Sequence, residues 1–240
     1  MKKSIFLTFL MAMMAMSFTY AQDLDEILEN HFETIGQENL LDIESMLATG
    51  KAAQMGMEFP FTMINKRPGM LKLIINVQGA EIIQAFDGET VWVINPMSGS
   101  ADPVDITGPE ADGLIESADM DGQLWKYKEK GHQLELEGTE EIDGTEAFVL
   151  KLTKKNGNID YYYLEQESYL IFRMKSKTII NGSEVETEVL FSNYQDVEGY
   201  IMPFTTEQKQ GGQTVMTILM EEVKTNTEPD DTLFSKPVSK

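Results

Sequence analysis

Five glycine-bearing dipeptides punctuate residues 87–212: Asp87-Gly88, Asp143-Gly144, Asn156-Gly157, Asn181-Gly182 and Gly211-Gly212. Each supplies the positive φ angles that a two-residue hairpin turn demands. Each also stands between stretches in which apolar and polar residues alternate. Parallel strands need crossovers of a dozen or more residues, so a chain with turns this tight is committed to antiparallel neighbours. Met57, Phe59, Phe61 and Met63 alternate with Glu58, Pro60 and Thr62, giving a strand one large apolar face. Leu71, Leu73, Ile75 and Val77 repeat the pattern. Further strands are expected over 81–86, 90–94, 133–137, 147–153, 159–164, 170–179, 184–194, 200–208 and 214–223. Pro60 and Pro203 each remove a ladder donor, so their strands are expected at a sheet edge or at a bulge.

Residues 23–35 read differently. Leu24, Ile27, Leu28, Phe32 and Ile35 recur at helical spacing, Asp23, Asp25 and Glu26 favour the helix N-terminus, and Gly36 follows as a stop. Residues 96–131 form a long insertion between strands, with helix-like stretches at 111–115 and 123–127. An insertion of this length is either a lid or a plain surface excursion. Together these features predict a mainly β, α+β chain: an incomplete antiparallel β-barrel of about eleven strands, with an N-terminal helix and a helical lid over the concave face.

The first residues read as an export signal. Lys2 and Lys3 precede an apolar run over 5–16 broken only by Thr8, and Thr19 and Ala21 satisfy the small-residue rule for cleavage before Gln22. Residues 1–21 are therefore expected to be removed, leaving 22–240 as a single periplasmic domain. The sequence has no cysteine, so a lipid anchor is not expected and a hydrophobic core must hold the fold without disulfides. The 40 acidic residues face 19 basic ones, two of them Lys2 and Lys3, for a net charge of −21. Such a surface repels phosphate backbones and excludes nucleic acid as a partner.

The sequence offers little chemistry. His31 and His132 are the only histidines, no Gly-x-Ser-x-Gly elbow occurs, and no cysteine stands in for a nucleophile. Neither histidine has a companion ligand at i+3 or i+4, so no metal is expected. Asp119-Met120-Asp121-Gly122 lacks the remaining ligands of a calcium loop and reads as a turn. His31 is expected to be a polar boundary residue on its helix. No enzyme activity and no cofactor follow from these residues. Methionines are the more suggestive group: Met55, Met57, Met63, Met70, Met174, Met216 and Met220 offer flexible, polarizable side chains suited either to core filling or to a cavity that accommodates varied apolar shapes.

Lys66-Arg67-Pro68 follows an apolar strand, and Asp87-Gly88-Glu89-Thr90-Val91-Trp92 with Asn95-Pro96 follows in turn. The stretch from Tyr163-Leu164 through Leu170, Phe172 and Arg173 to Phe191-Ser192-Asn193, and the closing Asp231-Thr232-Leu233-Phe234 with Pro237, complete a pattern that covers nearly the whole mature chain. In order and spacing it resembles the periplasmic outer-membrane lipoprotein carriers, the LolA-like family. The run 174–186 is longer and more polar than that family's pattern. The resemblance implies a carrier that shields the acyl chains of lipoproteins in an apolar cavity during sorting to the outer membrane. Its partners would be acylated lipoproteins or other lipids, with inner-membrane donor and outer-membrane acceptor proteins, and the carrier a monomer. It implies that Arg67 latches a lid, its guanidinium offering several donors at a fixed charge. The cavity is expected to draw on Met57, Phe59, Phe61, Met63, Leu71, Leu73, Trp92, Phe172, Met174 and Phe191. The alternative is a non-enzymatic envelope binding or scaffold module of the same fold, with a different hydrophobic ligand or a filled cavity.

Overall fold

The computed structural model describes residues 23–180 and 183–238; the expected export signal and the Asn181-Gly182 turn lie outside them. Thirteen antiparallel strands among the described residues build one open sheet, two more than the alternation predicts. The strands are β1 (Ser45–Gln54), β2 (Met57–Lys66), β3 (Met70–Val77), β4 (Ala80–Phe86), β5 (Val91–Ile94) and β6 (Val104–Asp105), then β7 (Gln133–Ile142), β8 (Thr145–Thr153), β9 (Ile159–Glu165), β10 (Ile171–Ile180), β11 (Ser183–Val197), β12 (Tyr200–Gln210) and β13 (Gln213–Thr225). From β1 the chain meanders outward to β6 at one edge. It then crosses to β7 at the other edge and meanders back until β13 pairs with β1. The sheet is a half-barrel whose two edges do not pair.

The seam between β1 and β13 depends on a glycine. The register slips between Thr49 and Gly50, and a Cβ on Gly50 would lie 2.1 Å from the Leu219 carbonyl oxygen. No side chain fits that approach.

Among the described residues the hairpins form at Asp87-Gly88, Asp143-Gly144, Asn156-Gly157 and Gly211-Gly212, and at three further places. Asp143-Gly144 and Gly211-Gly212 carry paired positive φ angles, as do Met55-Gly56, Gln78-Gly79 and Glu198-Gly199. Asp87 closes a wider turn by accepting the amides of Glu89 and Thr90 on Oδ1. The prolines correct the expectation of edge strands. β2 and β12 lie inside the sheet, but the β2–β3 ladder begins at Phe61 and the β12–β13 ladder at Thr205. Pro60 and Pro203 thus fall where their strands are paired on one side only, against Lys51 and Tyr194, where a missing ladder donor is tolerated.

Helix α1 (Leu24–Ile35) ends at Gly36 in the left-handed conformation, with the Gly36 amide bonded to Glu33 and Phe32 carbonyls. A short α2 (Gln37–Leu41) follows. Ile27 and Leu28 of α1 pack on the inner face of the sheet against Phe148, Leu150, Leu152, Tyr162 and Leu164. Burying each of these large side chains stabilises by about 1.5–3 kcal/mol, so this half of the half-barrel is filled by the protein itself. In the insertion, α3 (Pro109–Ala118) lies on the inner face of the other half, where Ala111, Leu114 and Ala118 meet Leu71 and Val91. The second expected helix, 123–127, is a series of turns: Lys126 adopts φ 50° and Gly122 and Gly131 flank it with positive φ.

On the outer face the closing segment covers Trp92. Phe234 is fully buried there and its carbonyl accepts the Trp92 indole N–H at 2.9 Å, while Lys72 Nζ donates to the Leu233 carbonyl at 3.0 Å.

Candidate functional site

Between the two packed halves the inner face stays open. A cavity of about 350 Å³ lies under α3, floored by β12, β13 and β1–β4. Phe61 and Met63 of β2, Leu71, Leu73 and Ile75 of β3, and Met216, Ile218 and Met220 of β13 form its walls, with Leu114 and Ser117 of α3 as its roof. Gln84, Ser117 and Thr206 are its polar residues, and no ionised side chain lines it. Ala52 of β1 also faces it, so a small residue at the centre of the floor keeps the groove unfilled.

Of the residues expected to line a cavity, Phe61, Met63, Leu71 and Leu73 come together here. Phe59 continues the same face of β2 but lies outside the lining, and Met57, 47% exposed, stands at the strand's outer end. Met174 packs into the core beneath α1, and Phe191 lines a separate slot. Trp92 and Phe172 are corrections, because both lie on the outer face. Trp92 pairs with Ala85 and Asp105 beneath the closing segment. Phe172 sits at a register slip between Ile171 and Arg173 that turns it to the outer cluster of Ile142, Ala147, Val149 and Tyr163. Ala52, Gln84, Leu114, Ser117, Thr206 and the β13 residues were not anticipated. Methionines 216 and 220 did carry a signal, in their flexible side chains.

Three polar ties hold the insertion to the sheet. Arg67 donates from Nε to the Ile43 carbonyl at 2.8 Å, and from Nη2 to the Leu40 carbonyl at 3.0 Å and to Asp121 Oδ1 at 2.6 Å. Asn65 Nδ2 donates to the Ser117 carbonyl at 2.9 Å. Lys154 Nζ lies 2.8 Å from both Glu116 Oε2 and Asp160 Oδ2, and Ser176 Oγ donates to the other Asp160 oxygen. Burial alone would lower the Lys154 pKa, but the Asp160 and Glu116 carboxylates outweigh it and raise it. Asp119 caps the turn before this region by accepting the Asp121 amide and the Gln123 side chain, the turn expected of Asp119-Met120-Asp121-Gly122.

A second hollow, of about 190 Å³, lies under α1 beside the 121–125 turns. Its walls are aromatic: Phe32, Trp125, Tyr162, Phe191, Tyr194 and Tyr200. His31 lines it as well. It is 4% exposed rather than at a boundary, and its Nδ1–H donates to the Tyr169 carbonyl at 2.8 Å. Burial lowers the His31 pKa more than this bond raises it, so the ring is neutral. Burial and then the nearby Asp121 carboxylate push the Tyr200 hydroxyl up to about 12. His132 lies apart from it, with Nε2 3.1 Å from Gln123 Oε1 and Nδ1 accepting the Lys155 amide. Among the described residues no three histidine or acidic side chains are grouped to hold a metal ion.

The open sheet thus forms a half-barrel with helices on its inner face and an apolar groove left between them. No family model matches the sequence, and no curated protein matches it. Solved structures do. A LolA superfamily protein from Nitrosomonas europaea superposes with a TM-score of 0.62 at 16% identity, over 90% of this chain and 99% of the other. A DUF1329 family protein from Desulfovibrio piger gives 0.61 at 13% identity, over 87% and 97%. A putative outer membrane lipoprotein-sorting protein domain from Vibrio parahaemolyticus gives 0.56 at 14%, over 85% and 96%. The chain therefore shares the fold of these three proteins, one of them a LolA superfamily protein.

Proposed function

We propose that the protein is a single-domain carrier of the bacterial periplasm, exported by a cleaved signal over residues 1–21, that shields acyl chains of lipoproteins or other lipids in the groove beneath α3. The observation that carries this reading is the groove's lining, mostly apolar and free of ionised groups. Water in such a hollow has few polar partners, whereas each methylene transferred into it from solution contributes about 0.8 kcal/mol. A sixteen-carbon chain left in water is thus disfavoured by roughly 12 kcal/mol, which explains the need for a carrier. The likeness to a lipoprotein-sorting domain supports the same cargo class. Arg67 acts as the latch of the insertion, and donor and acceptor proteins at the two membranes load and unload a monomeric carrier. No catalytic step is required.

The methionines suit this work because reversible hand-off needs walls that re-pack around different chains. Filling the groove tests the reading. Ala52→Trp places a large side chain on the floor, and native mass spectrometry of protein released gently from the envelope reports bound lipid. The wild type should carry lipid adducts and the variant should lose them while keeping its fold. A wild type free of lipid in every preparation would favour a scaffold of the same fold.

A further inference from the structure

The aromatic slot under α1 abuts the groove. Phe191 of β11 and Thr206 of β12 are directly opposed register partners. Phe191 lines the slot and Thr206 lines the groove. Opposed side chains in an antiparallel pair stand about 5 Å apart, so one elongated ligand can reach both hollows.

The slot's polar atoms define what its end must be. His31 donates Nδ1–H to the Tyr169 carbonyl, which leaves Nε2 as the lone-pair acceptor of a ring that lines the slot. Asp121 is the one charged residue of the lining, and its Oδ1 already accepts from Arg67 at 2.6 Å. No lysine or arginine faces the slot. A phosphate or carboxylate head would meet the Asp121 carboxylate and find no lysine or arginine in the lining, since Arg67 lies outside it and is engaged with Asp121. A quaternary ammonium head would find aromatic walls, but it has no N–H or O–H to give the His31 Nε2 acceptor. A hydroxyl has an O–H to give Nε2 and lone pairs for the Tyr200 hydroxyl, and its carbon skeleton would meet the aromatic wall where Trp125 and Phe32 pack edge-to-face with ring centroids 4.9 Å apart.

We propose that the slot and the groove are two halves of one site, and that the slot takes a neutral, hydroxyl-bearing head of the glyceryl kind while the attached chain lies in the groove. The inference deepens the carrier reading and rests on it. It assigns His31 as the acceptor for the head and Tyr200 as its donor.

Three twelve-carbon amphiphiles below their micellar concentrations separate the possibilities: 1-dodecanoylglycerol, dodecanoate and dodecyltrimethylammonium. Binding is read by calorimetry. ¹⁹F NMR of 5-fluorotryptophan-labelled protein reports location, because the sequence has two tryptophans and only Trp125 borders the slot. The glyceride should bind about tenfold tighter than either charged probe and shift the Trp125 signal while leaving Trp92 in place. His31→Phe keeps an aromatic ring and should weaken the glyceride about tenfold with dodecanoate unchanged. Tyr200→Phe, which removes one oxygen, should weaken it in the same sense and serves where His31→Phe fails to fold. Equal affinity for all three heads with a silent Trp125, or tightest binding of the ammonium probe, overturns the head-group assignment and leaves the groove intact. Failure of all three to bind removes the carrier reading as well.

Discussion

Arg67 and Asp121 stand 54 positions apart in the chain and meet through Nη2 and Oδ1 at 2.6 Å. The same guanidinium also holds the Leu40 and Ile43 carbonyls at the end of α2, so one side chain joins three separate segments at the rim of the inner face. Its neighbour Lys66 reaches the other way, to the Pro229 carbonyl and Asp231 of the closing segment. Two adjacent residues thus fasten the inner and outer coverings of the sheet. The planar fork of arginine reaches acceptors that a lysine ammonium cannot serve together.

Arg67→Leu should therefore loosen the insertion before it unfolds the sheet. Two carbonyls and one carboxylate lose a charge-assisted donor, a cost of about 2–4 kcal/mol by urea unfolding. Amide exchange over 119–131 should accelerate more than exchange in β8 and β9. If the latch reading holds, lipid uptake persists while the release rate changes; unaltered transfer kinetics would remove Arg67 from the mechanism.

Glu116 tests the second tie. Glu116→Gln keeps the volume and removes the charge facing Lys154, whose ammonium retains Asp160. Glu116 is about one-third exposed, so the expected loss is modest, about 1 kcal/mol. Amide exchange in α3 should quicken about fivefold, the factor that 1 kcal/mol gives. Lys154→Met is the harsher change, because it leaves the buried Asp160 carboxylate uncompensated, and should cost about 3–5 kcal/mol.

At the seam, Gly50→Ala should destabilise by more than about 2 kcal/mol in thermal unfolding, since its Cβ would overlap the Leu219 carbonyl and part β1 from β13. Gly79→Ala provides the contrast. A Cβ there meets nothing, and its cost of about 1 kcal/mol comes from the positive φ alone.

The two histidines predict how stability responds to acid. Burial lowers the pKa of His31, and burial, then Lys130, Lys154 and Lys155, lower that of His132. In the unfolded chain both titrate near 6.5, so below that pH the unfolded state binds protons that the folded state refuses. Their contribution is fully present above about pH 6.5 and is lost as the pH falls below it. Urea midpoints at pH 7.5, 6.0 and 5.0 should decline, and His31→Phe should flatten the slope between 7.5 and 6.0. An unchanged slope would contradict the neutral, buried assignment of His31.

The meander was legible because glycine turns and alternation are local signals, and so was α1, whose apolar stripe and Gly36 stop agree. β1 was not. Its sequence, SMLATGKAAQ, is small-residued where it passes under the groove, and the property that keeps the groove open hides the strand from any search for large alternating side chains. The turns at Met55-Gly56, Gln78-Gly79 and Glu198-Gly199 escaped because their first residues are poor formers of the left-handed conformation, imposed here by the paired strands. Within the site, β2 and β3 announced their inner faces through clean alternation. Val91, Trp92, Val93 and Ile94 are all apolar and carry no parity, so nothing local marks Trp92 as outward. The slot was invisible in sequence, since His31, Asp121, Phe191 and Tyr200 come together only through the fold.

Methyl NMR of protein labelled at methionine tests the groove's role most directly. Met63, Met216 and Met220 line it, whereas Met55 and Met97 are exposed and lie outside the lining. With a dipalmitoylated lipopeptide kept monomeric, the three groove methyls should shift and show intermolecular NOEs to the acyl chain, while Met55 and Met97 stay in place. Shifts confined to exposed methionines, or no acyl contact at Met63, Met216 and Met220 under saturating lipopeptide, would contradict the account.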